Sequence, residues 1–182
     1  MPTYHILPVD ELPRAADDSE IDKTTETSNE DLTKLNIKGA SKLEVFRLAW
    51  IPSYNDIADR AAQAAQHHIK AWAKGAKFKL GAHAYRLTYG YVATAKDMLN
   101  IYYPIAPTAP TVQVDVHQGN PDKVEHIDWT GRNVVALEEG MCIGTLKGRI
   151  EFILIRVCLE KESEEAPKET SKEAPEEASE DG

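Results

Sequence analysis

The stretch of residues 111–129 reads TVQVDVHQGNPDKVEHIDW. Valines alternate with polar residues in its first half, and Ile127 and Trp129 alternate with polar residues in its second half, as strands with one buried face require. The residues between them, 119–122 (GNPD), are a strong turn signal. The pattern therefore predicts two antiparallel strands, 111–117 and 124–129.

Four polar side chains of this hairpin are predicted to share the face opposite the valines: Asp115, His117, His126 and Asp128. Two imidazoles and two carboxylates are suited to binding a transition metal or to acid–base catalysis. The competing interpretation is the solvent side of an amphipathic hairpin. That interpretation is favoured, because ligand sites need a closed pocket and exposed His/Asp pairs are common. We therefore predict no metal site and no cofactor.

Upstream of the hairpin, the sequence predicts helices. Apolar residues recur at helical spacing over 53–74, with a capping residue, Ser53, at the start and Gly75 just past the end. This pattern predicts one long helix. The next segment, 77–91, fits either an alternating strand or a helical face, and we favour a short second helix.

Strand patterns surround these helices. Their order, with one strand first, then helices, then clustered strands, indicates an α+β fold. We predict an antiparallel β-sheet packed against one long and one short helix. Besides the hairpin, strands are expected at 43–50, 99–103 and 134–137, with a last one within 146–159.

The charge of the chain is unevenly distributed. The formal net charge is −9, but residues 1–34 and 161–182 each carry nine acids and three bases, so the remainder carries +3. Both ends are also poor in large apolar residues, and low hydrophobicity with high charge is typical of disorder. We predict a disordered acidic arm at 1–41, a core domain at 42–160 and a disordered acidic tail at 161–182.

The composition also bears on location. The two cysteines, Cys142 and Cys158, are too few for a disulfide framework and indicate a reducing compartment. The amino-terminal residues lack the apolar stretch of a signal peptide, and prolines interrupt the longest charge-free run. We therefore expect neither secretion nor a membrane-spanning segment, and binding to a membrane surface stays open.

A basic stretch between Arg60 and Lys96 holds seven basic residues and no acid between them. Basic side chains with interleaved aromatics suit phosphate backbones or lipid head groups. The alternative is a solvated helix end whose aromatics face the core. No nucleophile elbow, zincin helix or P-loop is visible, so we predict that the protein is not an enzyme. The residues predicted to contact an anionic partner are Lys70, Lys74, Lys77, Lys79 and Arg86.

A separate motif, PTAP, lies in a connecting segment with prolines at positions 104, 107 and 110, and such a segment favours an extended conformation. PTAP is the late-domain motif by which enveloped viruses recruit the host ESCRT machinery, and a four-residue match also arises by chance. Its residues are Pro107, Thr108, Ala109 and Pro110.

Taken in order, several segments resemble the matrix proteins of rhabdoviruses. The resemblance covers about 43–159, and no single motif in it is decisive. The acidic arm differs from the lysine-rich arm of animal-virus members, so the chain looks more like a plant-infecting cytorhabdovirus member. The similar segments are 53–57 (SYNDI), 77–80 (KFKL), 125–126 (EH) with 131–132 (GR), and 146–151 (LKGRIE).

The resemblance implies a non-enzymatic viral matrix protein that self-associates, condenses the ribonucleoprotein and links it to the envelope during budding. The implied partners are a second copy of the chain, the viral nucleocapsid, the envelope glycoprotein or inner membrane leaflet, and host ESCRT proteins. The implied location is the virion, with host cytoplasm, membrane periphery and nucleus. The alternative hypothesis is a small nucleic-acid-binding module whose acidic tails restrain it, with RNA affinity falling as salt rises.

Overall fold

The computed structural model describes residues 3–9, 27–28, 43–105, 112–120, 122–129 and 133–160. They form an α+β structure of antiparallel strands with two helices, as the sequence predicts. The helices are α1 (Ser53–Ala64) and α2 (Gln66–Ala73). The strands are β1 (Tyr4–Pro8), β2 (Thr27–Ser28), β3 (Glu44–Arg47), β4 (Phe78–Ala93), β5 (Met98–Pro104), β6 (Val114–Gln118), β7 (Glu125–Ile127), β8 (Asn133–Leu137), β9 (Met141–Thr145) and β10 (Ile150–Leu159).

One strand, β4, belongs to two sheets. Its residues 78–87 pair with β10, and its residues 90–93 pair with β9. Gly90 lies at the change of partner with a φ of 100°, a conformation that residues with a Cβ rarely adopt. The first sheet therefore has the order β1-β8-β5-β10-β4-β3-β2, and the second has the order β4-β9-β6-β7.

The two sheets pack face to face over one apolar core. That core takes Tyr102 and Phe152 from the first sheet and Val116 and Ile143 from the second. The helices cover the other face of the first sheet with a second apolar cluster. Because β4 to β10 follow the strand order of two interlocked Greek keys, the sandwich is a jelly roll.

The prediction of one long helix at 53–74 is not confirmed, because α1 ends and α2 begins around Ala65. The ψ of Ala65 is −1°, well away from the helical value of about −42°. Its N–H bonds to the carbonyls of both Ala61 and Gln63. Ala65 is also fully buried, as are Ala61 and Ile69 to either side. The apolar stripe therefore runs through the junction, and its spacing carries no sign of the break.

The predicted short helix over 77–91 is wrong, because this segment forms most of β4. The alternation of Phe78, Leu80, Ala82 and Ala84 is the pattern that the structure follows. Pairing along both edges of this segment selects the strand over the helix, since β10 pairs along one edge and β3 along the other. Neither partner is adjacent in sequence, so the local pattern could not settle it.

The predicted disorder of residues 1–41 is wrong at 27–28, which form β2, and at 4–8, which form β1. This strand pairs with β8 from Tyr4 opposite Leu137 to Pro8 opposite Asn133. Its few apolar residues are enough because β1 adds to β8, whose other edge already pairs with β5, and because Leu7 packs against the cluster beneath the helices. Most of the remaining arm, the tail 161–182 and the PTAP motif at 107–110 lie outside the described residues. No helix in the described ranges is long and apolar enough to cross a membrane.

Candidate functional site

Three connections meet at one end of the sandwich, which we call the cavity end. They are 94–97 between β4 and β5, 119–124 between β6 and β7, and 138–140 between β8 and β9. Hydrogen bonds join the first connection to the third, since the N–H of Thr94 donates to the carbonyl of Met141 and the N–H of Gly140 donates to the carbonyl of Thr94. The start of β1 joins the same end, where the N–H of Glu138 donates to the carbonyl of Thr3.

A cavity of about 560 Å³ opens at this end. Both faces of β6 contribute to it, through Val116 on the core side and His117 on the opposite side. The hydroxyl of Tyr4 donates a hydrogen bond to the carboxylate of Glu125, which links β1 to β7 beside the cavity. The complete lining is Thr3, Tyr4, Val116, His117, Gln118, Asn120, Lys123, Glu125 and Met141.

His117 is the unusual residue of this lining. Its side chain is 2% exposed, and neither ring nitrogen has a hydrogen-bond partner among the described residues. Its ring lies edge-on to the ring of Tyr91, with 4.5 Å between centroids. Burial lowers the pKa of His117, and the nearby carboxylate of Asp115 only partly offsets this. His117 is therefore a neutral, unpaired imidazole at pH 7.

The sequence predicts that four polar residues of the hairpin share one face. In the structure the valines and the polar residues of β6 do lie on opposite faces, but the four polar side chains do not form one group. Val114 and Val116 are in the core, and Asp115 pairs with His126 across the hairpin at 2.5 Å. His117 contacts Tyr91 instead. The solvent-exposed interpretation holds for His126 but not for Asp115 or His117, which are both buried.

Tyr91, on the same face, makes the folding stability of the protein depend on pH. Its hydroxyl donates to Asp115 at 3.2 Å, and burial, then the charge of Asp115, raise its pKa from 10 to about 12. Above pH 10 an unfolded chain loses this proton while the folded chain keeps it, so folding stability falls as pH rises from 10 to 12. We expect Tyr91→Phe to lose less stability than the wild type between pH 9 and pH 11, measured by urea unfolding at these two pH values. Equal losses in the two proteins would contradict the assignment.

A second polar cluster lies near the cavity end, outside the sandwich. The metal-ligating atoms of His5, His68 and Glu138 all lie within 4.8 Å of one another. The pKa of His68 is lowered, first by burial and then by the neighbouring His5, against the opposing effect of Glu138. Sequence reasoning missed this cluster, because its members come from β1, α2 and the β8–β9 connection. Only the strand pairing of β1 could have indicated it.

The predicted anion-binding residues do not form one surface with their aromatics. Lys70, Lys74, Lys77 and Lys79 are exposed, and Lys79 lies 3.5 Å from Glu160. Arg86 is different, since its guanidinium bonds to the buried carboxylate of Glu151 at 2.8 Å. The interleaved aromatics Trp72, Phe78 and Tyr85 pack against or within the apolar clusters. Binding of an anionic partner by these residues stays a prediction.

Comparison with known proteins identifies the class of fold. No family model matches the chain, and no curated protein matches it. Among solved structures, a prolyl-4-hydroxylase from Pseudomonas putida matches with a TM-score of 0.50 and 7% identity, over 72% of this chain and 79% of that one. The viral collagen prolyl hydroxylase vCPH from Paramecium Bursaria Chlorella virus-1, in complex with 2OG, matches with a TM-score of 0.44 and 8% identity, over 68% and 82%.

The likeness to the bacterial prolyl-4-hydroxylase shows a shared fold, and that fold is one used by an enzyme. It overturns two predictions made from the sequence. The function of a viral matrix protein, with its nucleic-acid-binding alternative, is wrong, and so is the prediction that the protein is not an enzyme. Short motifs in matching order misled the prediction because each was too brief to specify a topology.

The described interior does not fit an iron centre. Non-haem iron oxygenases hold Fe(II) with two histidines and one carboxylate, and a hydroxylase of this fold would need such a set inside the sandwich. At the cavity end, the core residues of β4 and β9 are Val92, Met141 and Ile143, none of which supplies an imidazole or carboxylate. Within the described ranges, the one group suited to a metal lies outside the sandwich. We therefore do not propose hydroxylation.

Proposed function

We propose that this protein is an enzyme that binds a small organic acid, as its carboxylate, in the cavity and holds the neutral His117 imidazole there as a proton acceptor. The observation that carries the proposal is the buried His117 imidazole, which lines the cavity without a partner for either nitrogen among the described residues. Such groups in native structures need an explanation, and a bound molecule supplies one. A neutral imidazole is also the state that a general base needs.

The lining supports an acid as the bound molecule. Lys123 is the one cation among the nine lining residues, and Glu125 already accepts a hydrogen bond from Tyr4. The side-chain amides of Gln118 and Asn120 add donors that can bind carboxylate oxygens. The charges of Lys123 and Glu125 balance in the lining as a whole, so it is Lys123 together with these amide donors that would bind the anionic group of the ligand.

The test is an NMR titration of the His117 ring with succinate and with 2-oxoglutarate, two simple diacids. We expect saturable shifts and a rise in the pKa of His117, because a bound anion stabilises the imidazolium. Lys123→Ala should weaken binding at least about tenfold, since it removes a charge-assisted contact.

The matched control is His126→Gln, which changes an exposed imidazole of the same hairpin that is not part of the cavity lining. Its binding should equal that of the wild type. If neither diacid moves the His117 resonances, or if Lys123→Ala binds as well as the wild type, the proposal of an acid-binding cavity is wrong.

A further inference from the structure

We propose that His5, His68 and Glu138 form a binding site for a divalent transition-metal ion on the helix side of the first sheet. The Nε2 atom of His68 lies 4.0 Å from the Oε1 atom of Glu138, and the rings of His5 and His68 have centroids 4.2 Å apart. All three ligand atoms lie within 4.8 Å of one another, so small side-chain rotations bring them around one ion. This site does not depend on the proposed function of the cavity.

The three ligands come from β1, the β8–β9 connection and α2. His5 is opposite Ala136 in the β1–β8 pairing, and Ala136 belongs to the cluster beneath the helices. Facing residues of an antiparallel pair share a face, so His5 lies on the helix side. Glu138, two residues after Ala136, is held by its N–H bond to Thr3. The third ligand, His68, comes from α2.

The position of His68 is set by its own helix. Ile69, the next residue, is buried in the helix-covered cluster, and its N–H bonds to the carbonyl of Ala65. The Nε2 atom of His68 is buried and has no hydrogen-bond partner among the described residues. Its distance of 4.0 Å from Glu138 is too long for a hydrogen bond. A metal ion between the two would satisfy both groups.

The donor set indicates the class of metal. Two imidazole nitrogens and one carboxylate suit Zn²⁺ and related first-row ions, whereas Mg²⁺ and Ca²⁺ prefer sites made only of oxygen. Three protein ligands also leave a coordination position for water or another small molecule. The cavity lies on the other face of the first sheet, since Tyr4, which lies on the opposite side of β1 from His5, belongs to its lining.

The test is a titration of the full chain, free of any affinity tag, with Co²⁺ followed by displacement with Zn²⁺. We expect one Co²⁺ per chain, a visible absorption band from coordination by protein ligands, and a higher melting temperature with Zn²⁺. His68→Gln and Glu138→Gln should each weaken binding at least about a hundredfold, because each removes a direct ligand. Circular dichroism of both variants in EDTA separates loss of ligand from loss of fold.

The control is His67→Gln, which changes an exposed imidazole on the same helix, next to His68. It should bind Co²⁺ as the wild type does. The site is refuted if the wild type binds no stoichiometric Co²⁺. It is equally refuted if folded His68→Gln binds as tightly as the wild type, or if His67→Gln loses as much affinity as His68→Gln.

Discussion

Gly144→Ala is expected to destabilise the protein by at least about 3 kcal/mol, the upper end of ordinary overpacking costs. A Cβ at Gly144 would lie 2.0 Å from the carbonyl oxygen of Gly90 and 2.7 Å from Cα of Tyr91. Both obstacles are backbone atoms, so no side-chain rotation relieves the contact. The clash lies in the β4–β9 pairing, where Tyr91 is opposite Gly144 and β4 has entered the second sheet. Urea unfolding at neutral pH gives the loss directly.

Gly81→Ala is the matched control for this change. Gly81 lies in β4, the strand that Gly144 faces, and a Cβ there meets nothing within 4 Å. Removing backbone freedom from the unfolded chain should make this variant equally or slightly more stable, by up to about 1 kcal/mol. A Gly144→Ala protein as stable as Gly81→Ala would show that β4 and β9 are not as closely apposed as described.

Arg86→Met is expected to cost about 3–5 kcal/mol, because it leaves a buried carboxylate without its main partner. The Nε atom of Arg86 lies 2.8 Å from Oε1 of Glu151, and the two side chains are 11% and 3% exposed. The residues are also opposite one another in the β10–β4 pairing. Thermal and urea unfolding should both report the loss.

Arg149→Met is the control, since Arg149 also approaches Oε1 of Glu151, at 3.4 Å, but is 62% exposed. Solvent screens such a partner, so the expected cost is about 0–1 kcal/mol. The double variant Arg86→Met with Glu151→Leu should regain much of the stability, because it removes both buried charges. Equal costs for Arg149→Met and Arg86→Met would contradict this account.

The sequence predicted the hairpin well because its signals are local. A period of two places Val114 and Val116 on one face and Asp115 and His117 on the other, and the structure keeps that division. The turn residues between the strands also act over short distances. The prediction failed only in the environment of the polar face, where Tyr91, from a different strand, contacts His117.

The strand β4 shows where local patterns stop being sufficient. Its alternating and helical patterns were both present, and only pairing with β10 and β3 selects the strand. The strand β9 was missed altogether, because Met141–Thr145 is buried throughout and carries no alternation. Buried strands of this kind read as short apolar runs, which a helix or a loop can also contain.

The α+β class, the antiparallel hairpin and the division between its valine face and its polar face could be predicted from the sequence, since these follow from spacing within a few residues. The tertiary structure alone decided that β4 serves two sheets, that His117 is buried beside a cavity, and that His5, His68 and Glu138 meet. These three residues are more than sixty positions apart from one to the next. Contacts over such separations leave no periodic trace in a single chain, and only the β1–β8 pairing and the packing of α2 create them.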